Sequence, residues 1–383
     1  MSTTWRRTGA AVLMSAVLLI AACSSDSKPA ASASSASSSA APTGAVYAKE
    51  GPYEVGYTTL HLPDRDVAVW YPADTSAVAG KPKATYDQAT PFPDDLKALV
   101  PAEFNRVVTM NAYMDVPASS DGPFPVVLFS HGLSAYRLVN SGLDVGLASW
   151  GFVVVAPDYL EHGLVAQVRG TLNMNSAAID RETASKTLDL VAAENGKTGS
   201  LLHGIADTAH IAAVGHSLGG RTSFDALNDP RIAVAVGLAP VAPSGGPADK
   251  PTMIIGAGGD IALTPDVLAK EYASFPAPKR FVEIGGSAAG HNTFTDVCTV
   301  IRDGGGLLAY AQQNHLVADN LVKLGENGCA ATDIAPEKFQ PVVQHFTVAE
   351  LRSEFGLDPQ PVGLDDSISA AFGDVPVQYQ HTP

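Results

Sequence analysis

Positive charge, cysteine and long apolar runs are all scarce in this chain. Its 383 residues carry 24 Lys and Arg against 39 Asp and Glu, a formal net charge of −15 at pH 7. A surplus of that sign argues against nucleic acid or an anionic membrane surface as a partner. Only three cysteines are present, none in a Cys/His cluster, and H-E-x-x-H is absent. Neither a metal nor an organic cofactor is therefore implied. No internal repeat stands out. The apolar fraction, 46%, and the charged fraction, 16%, are those of an ordinary globular protein with a sizeable core.

The apolar run from Ala10 to Ala22 is too short to span a bilayer, and with Arg6 and Arg7 ahead of it reads as a signal peptide. It ends in Ile20-Ala21-Ala22-Cys23, which resembles a bacterial lipobox, where the cysteine is lipidated and becomes the new N-terminus. The alternative is an ordinary signal peptide with a chance cysteine. From Ser24 to Gly44 the chain is nearly all Ser, Ala and Pro, a composition that buries nothing and suits a flexible tether. The expected organisation is a lipoprotein signal peptide over 1–22, a linker over 23–45, a catalytic domain over 46–355 and a C-terminal tail over 356–383. The expected location is the outer face of a bacterial cell membrane, held by the lipid on Cys23. In an exported chain the remaining pair, Cys298 and Cys329, is read as a disulfide; two buried free thiols are the alternative.

Tyr53–Leu62 and Val67–Tyr71 alternate around the turn Pro63-Asp64-Arg65-Asp66 and predict an antiparallel hairpin. Residues 73–124 predict an irregular surface excursion with one short helix near Asp95–Asn105. Short apolar runs then recur at Val126–Phe129, Phe152–Ala156, Ile211–Val214, Ile232–Leu238, Met253–Ile255 and Phe281–Ile284. Helical segments separate them, so a parallel sheet with helices on both faces is expected. Such sheets place their chemistry at the carboxyl ends of strands.

Gly215-His216-Ser217-Leu218-Gly219 follows one of those strands directly and precedes a helical run. This is a nucleophile elbow in its strand–turn–helix context. Glycines at 215 and 219 remove side chains that a turn this sharp would bring into collision. Ser217 then stands at a helix N-terminus, whose dipole favours developing negative charge. The Leu218 amide supplies one oxyanion donor, and the loop Ser130-His131-Gly132-Leu133 supplies the second at Leu133. His131 reads as a brace for that loop.

The base and the acid that orients it follow such a nucleophile in the chain. Among His291, His315, His345 and His381, only His291 lies on a Gly-rich loop just beyond a strand. His315 is expected inside a helix, His345 just before one, and His381 in the tail. Asp260 ends a strand running into a loop. Its rivals are worse placed: Asp249 is remote, Asp266 begins a helix, and Asp296 follows the histidine.

Four phrases carry a family resemblance: Phe129-Ser130-His131-Gly132, Ala148-Ser149-Trp150-Gly151-Phe152, Gly215–Gly220 and Pro251-Thr252-Met253-Ile254-Ile255. Over roughly residues 50–295 the chain resembles the α/β-hydrolase branch of bacterial cutinases and polyester hydrolases, dienelactone-hydrolase-like enzymes and platelet-activating-factor acetylhydrolases. The resemblance implies an α/β-hydrolase fold and carboxylic ester hydrolysis by Ser217, His291 and Asp260. The implied partner is a small-molecule or lipid ester. Two departures stand out. Pro240-Val241-Ala242-Pro243 occupies the place where polyester hydrolases usually carry a tryptophan. The Cys298–Cys329 region is an elaboration, with a helix expected from about Leu307 to Leu324, capped by Gly325. Acyl transfer to a lipid or sugar, or a non-catalytic binding lipoprotein of the same fold, are the competing functions.

Overall fold

Strand after strand of this chain is apolar on both of its faces, which dictates a sheet covered on both sides. The structure, a computed structural model, describes residues 44–383. The signal peptide, Cys23 and nearly all of the linker lie outside the described residues. The strands are β1 (Glu54–His61), β2 (Asp66–Ala73), β3 (Thr85–Asp87), β4 (Val107–Thr109), β5 (Tyr113–Met114), β6 (Phe124–Ser130), β7 (Val153–Pro157), β8 (Ala206–His216), β9 (Ile232–Leu238), β10 (Thr252–Ala257), β11 (Lys279–Ile284) and β12 (Val377–Thr382). Among the described residues ten of them form one sheet, in the order β12-β11-β10-β9-β8-β6-β7-β2-β1-β5. From β7 through β11 the pairing is parallel, whereas β2 and β12 join antiparallel at the two sides. This is the α/β-hydrolase fold.

Side chains alternate between two cores, one on each face. In β6, Val127 and Phe129 join one core while Phe124, Val126 and Leu128 join the other. In β8, Ala212 and Val214 face one way, Ile211 and Ala213 the other. Burying one such Val, Leu or Phe side chain contributes about 1.5–3 kcal/mol, so a one-residue slip would be costly along the whole strand.

Three local expectations are corrected. The helix near Asp95–Asn105 is a single turn, Asp94–Lys97, because Pro101 turns the preceding Val100 away from helical geometry. The helix from Leu307 to Leu324 is two helices, Leu307–Gln313 and Asp319–Glu326. Between them His315 takes a left-handed conformation, φ +53°, and the Leu316 side chain is left exposed with nothing to pack on. Residues 356–383 are not a tail: β12 pairs with β11 along Lys279–Thr382 to Ile284–Val377 and puts His381 on a sheet edge. The described residues, 44–383, accordingly form one compact unit. His345 lies within the helix Pro336–Glu354, where it accepts the Tyr47 N–H (3.2 Å) and bonds the Gly363 carbonyl (3.1 Å).

Cys298 and Cys329 form a disulfide, with Cα atoms 4.7 Å apart and a sequence separation of 31. Closing a loop of that size removes denatured-state entropy worth about 3–4 kcal/mol. Replacing both cysteines by serine is expected to lower unfolding stability by about 3 kcal/mol, read as a lower urea midpoint, with a slope no shallower than wild type because the unlinked denatured chain exposes more surface.

Candidate active site

The elbow forms because β8 delivers the chain into the helix Leu218–Ala226 with no intervening loop. Ser217 sits between them at φ +56°, ψ −118°, a conformation that costs energy for any residue with a Cβ. The neighbouring glycines have steric reasons. A Cβ on Gly215 would lie 2.2 Å from the Gly219 carbonyl oxygen, and one on Gly219 would lie 2.0 Å from the Ser130 carbonyl oxygen. Gly220 abuts Pro240 in the same way. Main-chain bonds from Ser217 N–H to Leu238 O and from Val241 N–H to Ser217 O, both 2.9 Å, lock the turn. The second of them places Pro240-Val241 beside the serine, where the tryptophan of the polyester hydrolases was missed in the sequence.

Three side chains from three strand ends converge. Ser217 Oγ lies 2.9 Å from His291 Nε2, and His291 Nδ1 lies 2.7 Å from Asp260 Oδ2. The other Asp260 oxygen accepts the N–H groups of Ala262 (2.7 Å) and Leu263 (2.9 Å). Burial alone would push the Asp260 carboxyl up. The hydrogen bond and charge of His291, with the two amides, outweigh it and hold the carboxyl below its ordinary value. An ionised Asp260 fixes the tautomer: Nδ1 carries the proton and Nε2 is left to accept from Ser217.

His216, the variable residue of the elbow that the sequence reading passed over, completes the setting. Its Nε2 donates to the His291 main-chain oxygen at 3.0 Å, and the two rings lie 4.8 Å apart. Burial and the neighbouring His291 push its pKa down to about 3, so it stays neutral and acts as a strut. A histidine at that motif position was the available signal.

The Leu133 and Leu218 amides, expected as oxyanion donors, find no acceptor among the described residues. A Cβ on Gly132 would stand 3.1 Å from Ser217 Cβ, so the loop carrying Leu133 passes directly over that serine. His131 Nε2 accepts the Tyr159 N–H and Nδ1 donates to Gly132 O, both at 2.9 Å. Burial and nearby His162 push it down to about 3, a neutral brace with no nitrogen free for proton transfer. The segment after β7 adds Ser134 N–H to His162 O (2.7 Å) and Leu164 N–H to Ala135 O (2.8 Å). Behind it, the helix Ala177–Gly196 is pinned to the elbow helix by Arg221 and Asp180, 2.9 Å apart. The segment from Leu160 to Gly204 thus braces the Ser130–Leu133 loop and the elbow together.

A cavity of about 850 Å³ lies elsewhere, between Gly51–Val55, Arg106–Asn111 and the helix Ser141–Ser149, and none of the three converging residues lines it. Asp296, the rival acid, points toward it: its Oδ2 accepts Ser141 Oγ–H (2.7 Å) and Gly142 N–H (3.0 Å) at the start of that helix. Among the described residues no three His, Cys, Asp or Glu side chains converge as a metal site requires.

With this geometry in view, the chain was compared with known proteins. The chlorophyllase family model matches residues 105–298, just over half of the chain. Chlorophyllase-1 of Citrus unshiu is 28% identical over 170 residues, 44% of this chain and 45% of that protein. A bis(hydroxyethyl) terephthalate hydrolase of Streptomyces coelicolor is 30% identical over 147 residues, 37% of this chain and 42% of that one. The matches therefore span less than half the length of these relatives. A ferulic acid esterase from Streptomyces cinnamoneus has the same fold, with TM-score 0.61 at 23% identity, covering 86% of this chain and 96% of that one.

Burial raises the Asp296 carboxyl to about 6. The folded state therefore holds its proton more tightly than the unfolded chain, and stability falls as pH rises between about 4 and 6. Asp296→Asn removes that loss. The variant is expected to gain stability over wild type as pH rises from 4 to 7, measured by urea unfolding at both ends.

Proposed function

Because this chain belongs to the chlorophyllase family of α/β-hydrolases, we propose that it cleaves carboxylic esters through an acyl-enzyme on Ser217. The observation that carries this reading is the hydrogen-bonded relay Asp260–His291–Ser217 beneath two unpaired amides. Ser217 Oγ attacks the ester carbonyl carbon as its proton passes to His291 Nε2. Asp260 stabilises the imidazolium, and the new oxyanion takes hydrogen bonds from the Leu133 and Leu218 amides. Collapse breaks the carbon–oxygen bond to the alcohol, which leaves with the proton from Nε2. Water then gives its proton to His291, attacks the acyl group and releases the acid, restoring the serine.

Chlorophyllase, bis(hydroxyethyl) terephthalate hydrolase and ferulic acid esterase among the similar proteins support a carboxylic ester as substrate class. Ser217 and His291 are only 8% and 4% exposed, so the proposed reacting atoms are largely screened from bulk water. The exported, membrane-anchored placement is likewise a proposal, resting on Arg6, Arg7, the apolar run and the Ile20–Cys23 phrase.

Hydrolysis of p-nitrophenyl esters from acetate to palmitate by the full chain tests the reaction. Ser217→Ala is expected to lose about 10⁶-fold in kcat and all labelling by a fluorophosphonate. Asp260→Asn, which leaves the imidazole in the wrong tautomer, is expected to lose about 10⁴-fold. No turnover and no labelling of Ser217 in the folded wild type would sink the reading. For the anchor, cells fed radiolabelled palmitate should label the wild-type chain and not Cys23→Ala.

A further inference from the structure

The acid and the base sit on loops at the ends of neighbouring parallel strands, β10 and β11. The loops touch directly through one main-chain bond, Gly259 N–H to Ala289 O (2.7 Å), and through the Asp260–His291 pair itself. A third element joins them. The Asn327 side-chain oxygen accepts the His291 N–H at 2.8 Å and the Ile261 N–H at 3.2 Å, while its Nδ2 donates to Gly259 O at 3.1 Å. The residues on either side of Asp260, and the main chain of His291, are thus bound to one planar group. Its main-chain oxygen accepts the Asn292 N–H as well (2.9 Å). Two N–H donors and one carbonyl facing the same side chain call for a carboxamide, since a carboxylate lacks the donor and an apolar residue lacks both.

The surroundings are built to admit it. A Cβ on Gly290 would stand 2.6 Å from Asn327 Cγ, and one on Gly328, at φ +91°, would stand 2.2 Å from Thr293 Oγ1. Two residues on, Cys329 is bonded to Cys298 in the helix Val297–Arg302, which follows the His291 loop. Arg302 adds hydrogen bonds to the carbonyls of Cys329, Ala330, Asp333 and Ile334.

We propose that Asn327 is a positioning residue for the reaction: its carboxamide sets the separation and relative orientation of Asp260 and His291. The proposal rests on the reading of Ser217, His291 and Asp260 as the reacting triad. A shift of about 1 Å at such a site costs up to about 100-fold in rate, and here the group that prevents the shift never meets substrate.

The test compares the full chain with Asn327→Ala and Asn327→Asp on a p-nitrophenyl ester, reading kcat, KM, the pH profile of kcat/KM and the melting temperature. Asn327→Ala is expected to lose about 10- to 100-fold in kcat with KM changed by less than about twofold. Asn327→Asp keeps the acceptor for both N–H groups but loses the donor to Gly259 O, so it should recover only part of the kcat. Its added negative charge favours the imidazolium, so the acid limb of its pH profile should move to higher pH. If Asn327→Ala does not accumulate folded, the Asn327→Asp profile decides. A kcat within twofold of wild type for Asn327→Ala, or an unmoved Asn327→Asp profile where that variant must decide, overturns the proposal. Ser217→Ala run alongside separates the failures. If it stays active, the triad reading and this inference fall together. If it is dead while Asn327→Ala matches wild type, this inference alone falls.

Discussion

Everything at the site hangs on the left-handed backbone of Ser217. A residue with a Cβ does not hold φ +56° by itself, so the surroundings must impose it. They do so from three sides: the Leu238 and Val241 main chain clamps the turn, Gly215 and Gly219 vacate the space it sweeps, and β6 carries Ser130 and His131 against the helix that follows. Once the turn is held, Oγ projects above the sheet and the first helical amides face the same volume. Ser217 and the Leu218 amide, the proposed nucleophile and oxyanion donor, are therefore one local structure, and Asp260 and His291 need only be brought to it.

They are brought by sheet order. β8, β10 and β11 run parallel, so their carboxyl ends lie on one rim and their loops meet there. The fold also sorts its histidines by what their ring nitrogens meet. His131 and His216, both near the serine, are spent on hydrogen bonds to main chain, whereas His291 has its two ring nitrogens engaged by the side chains of Asp260 and Ser217.

Much of this was legible in the residues. The six buried parallel strands announce themselves as short apolar runs because both faces need covering, and the family resemblance drawn over roughly residues 50–295 agrees with the chlorophyllase match over 105–298. Ser217, His291 and Asp260 were nominated from strand-end positions, and the structure brings those three together. What escaped was non-local or weakly patterned. His216 hid in a motif position where any residue is allowed. Asn327 carries no periodicity and meets its partners through a fold-back between helices that read as one. β12 is polar on its outer side, since a strand at a sheet edge needs little apolar surface, and so looked like a tail.

That edge strand has a consequence for the order in which the molecule is made. β11 is bordered on one side by β10 and on the other by β12 alone. In a chain emerging from the ribosome, the strand that carries the His291 loop keeps one row of N–H and C=O groups unpaired until residues 377–382 arrive. An open row of that kind is a template for pairing with a foreign chain. The polypeptide thus closes that side of the sheet with the last strand of the described residues.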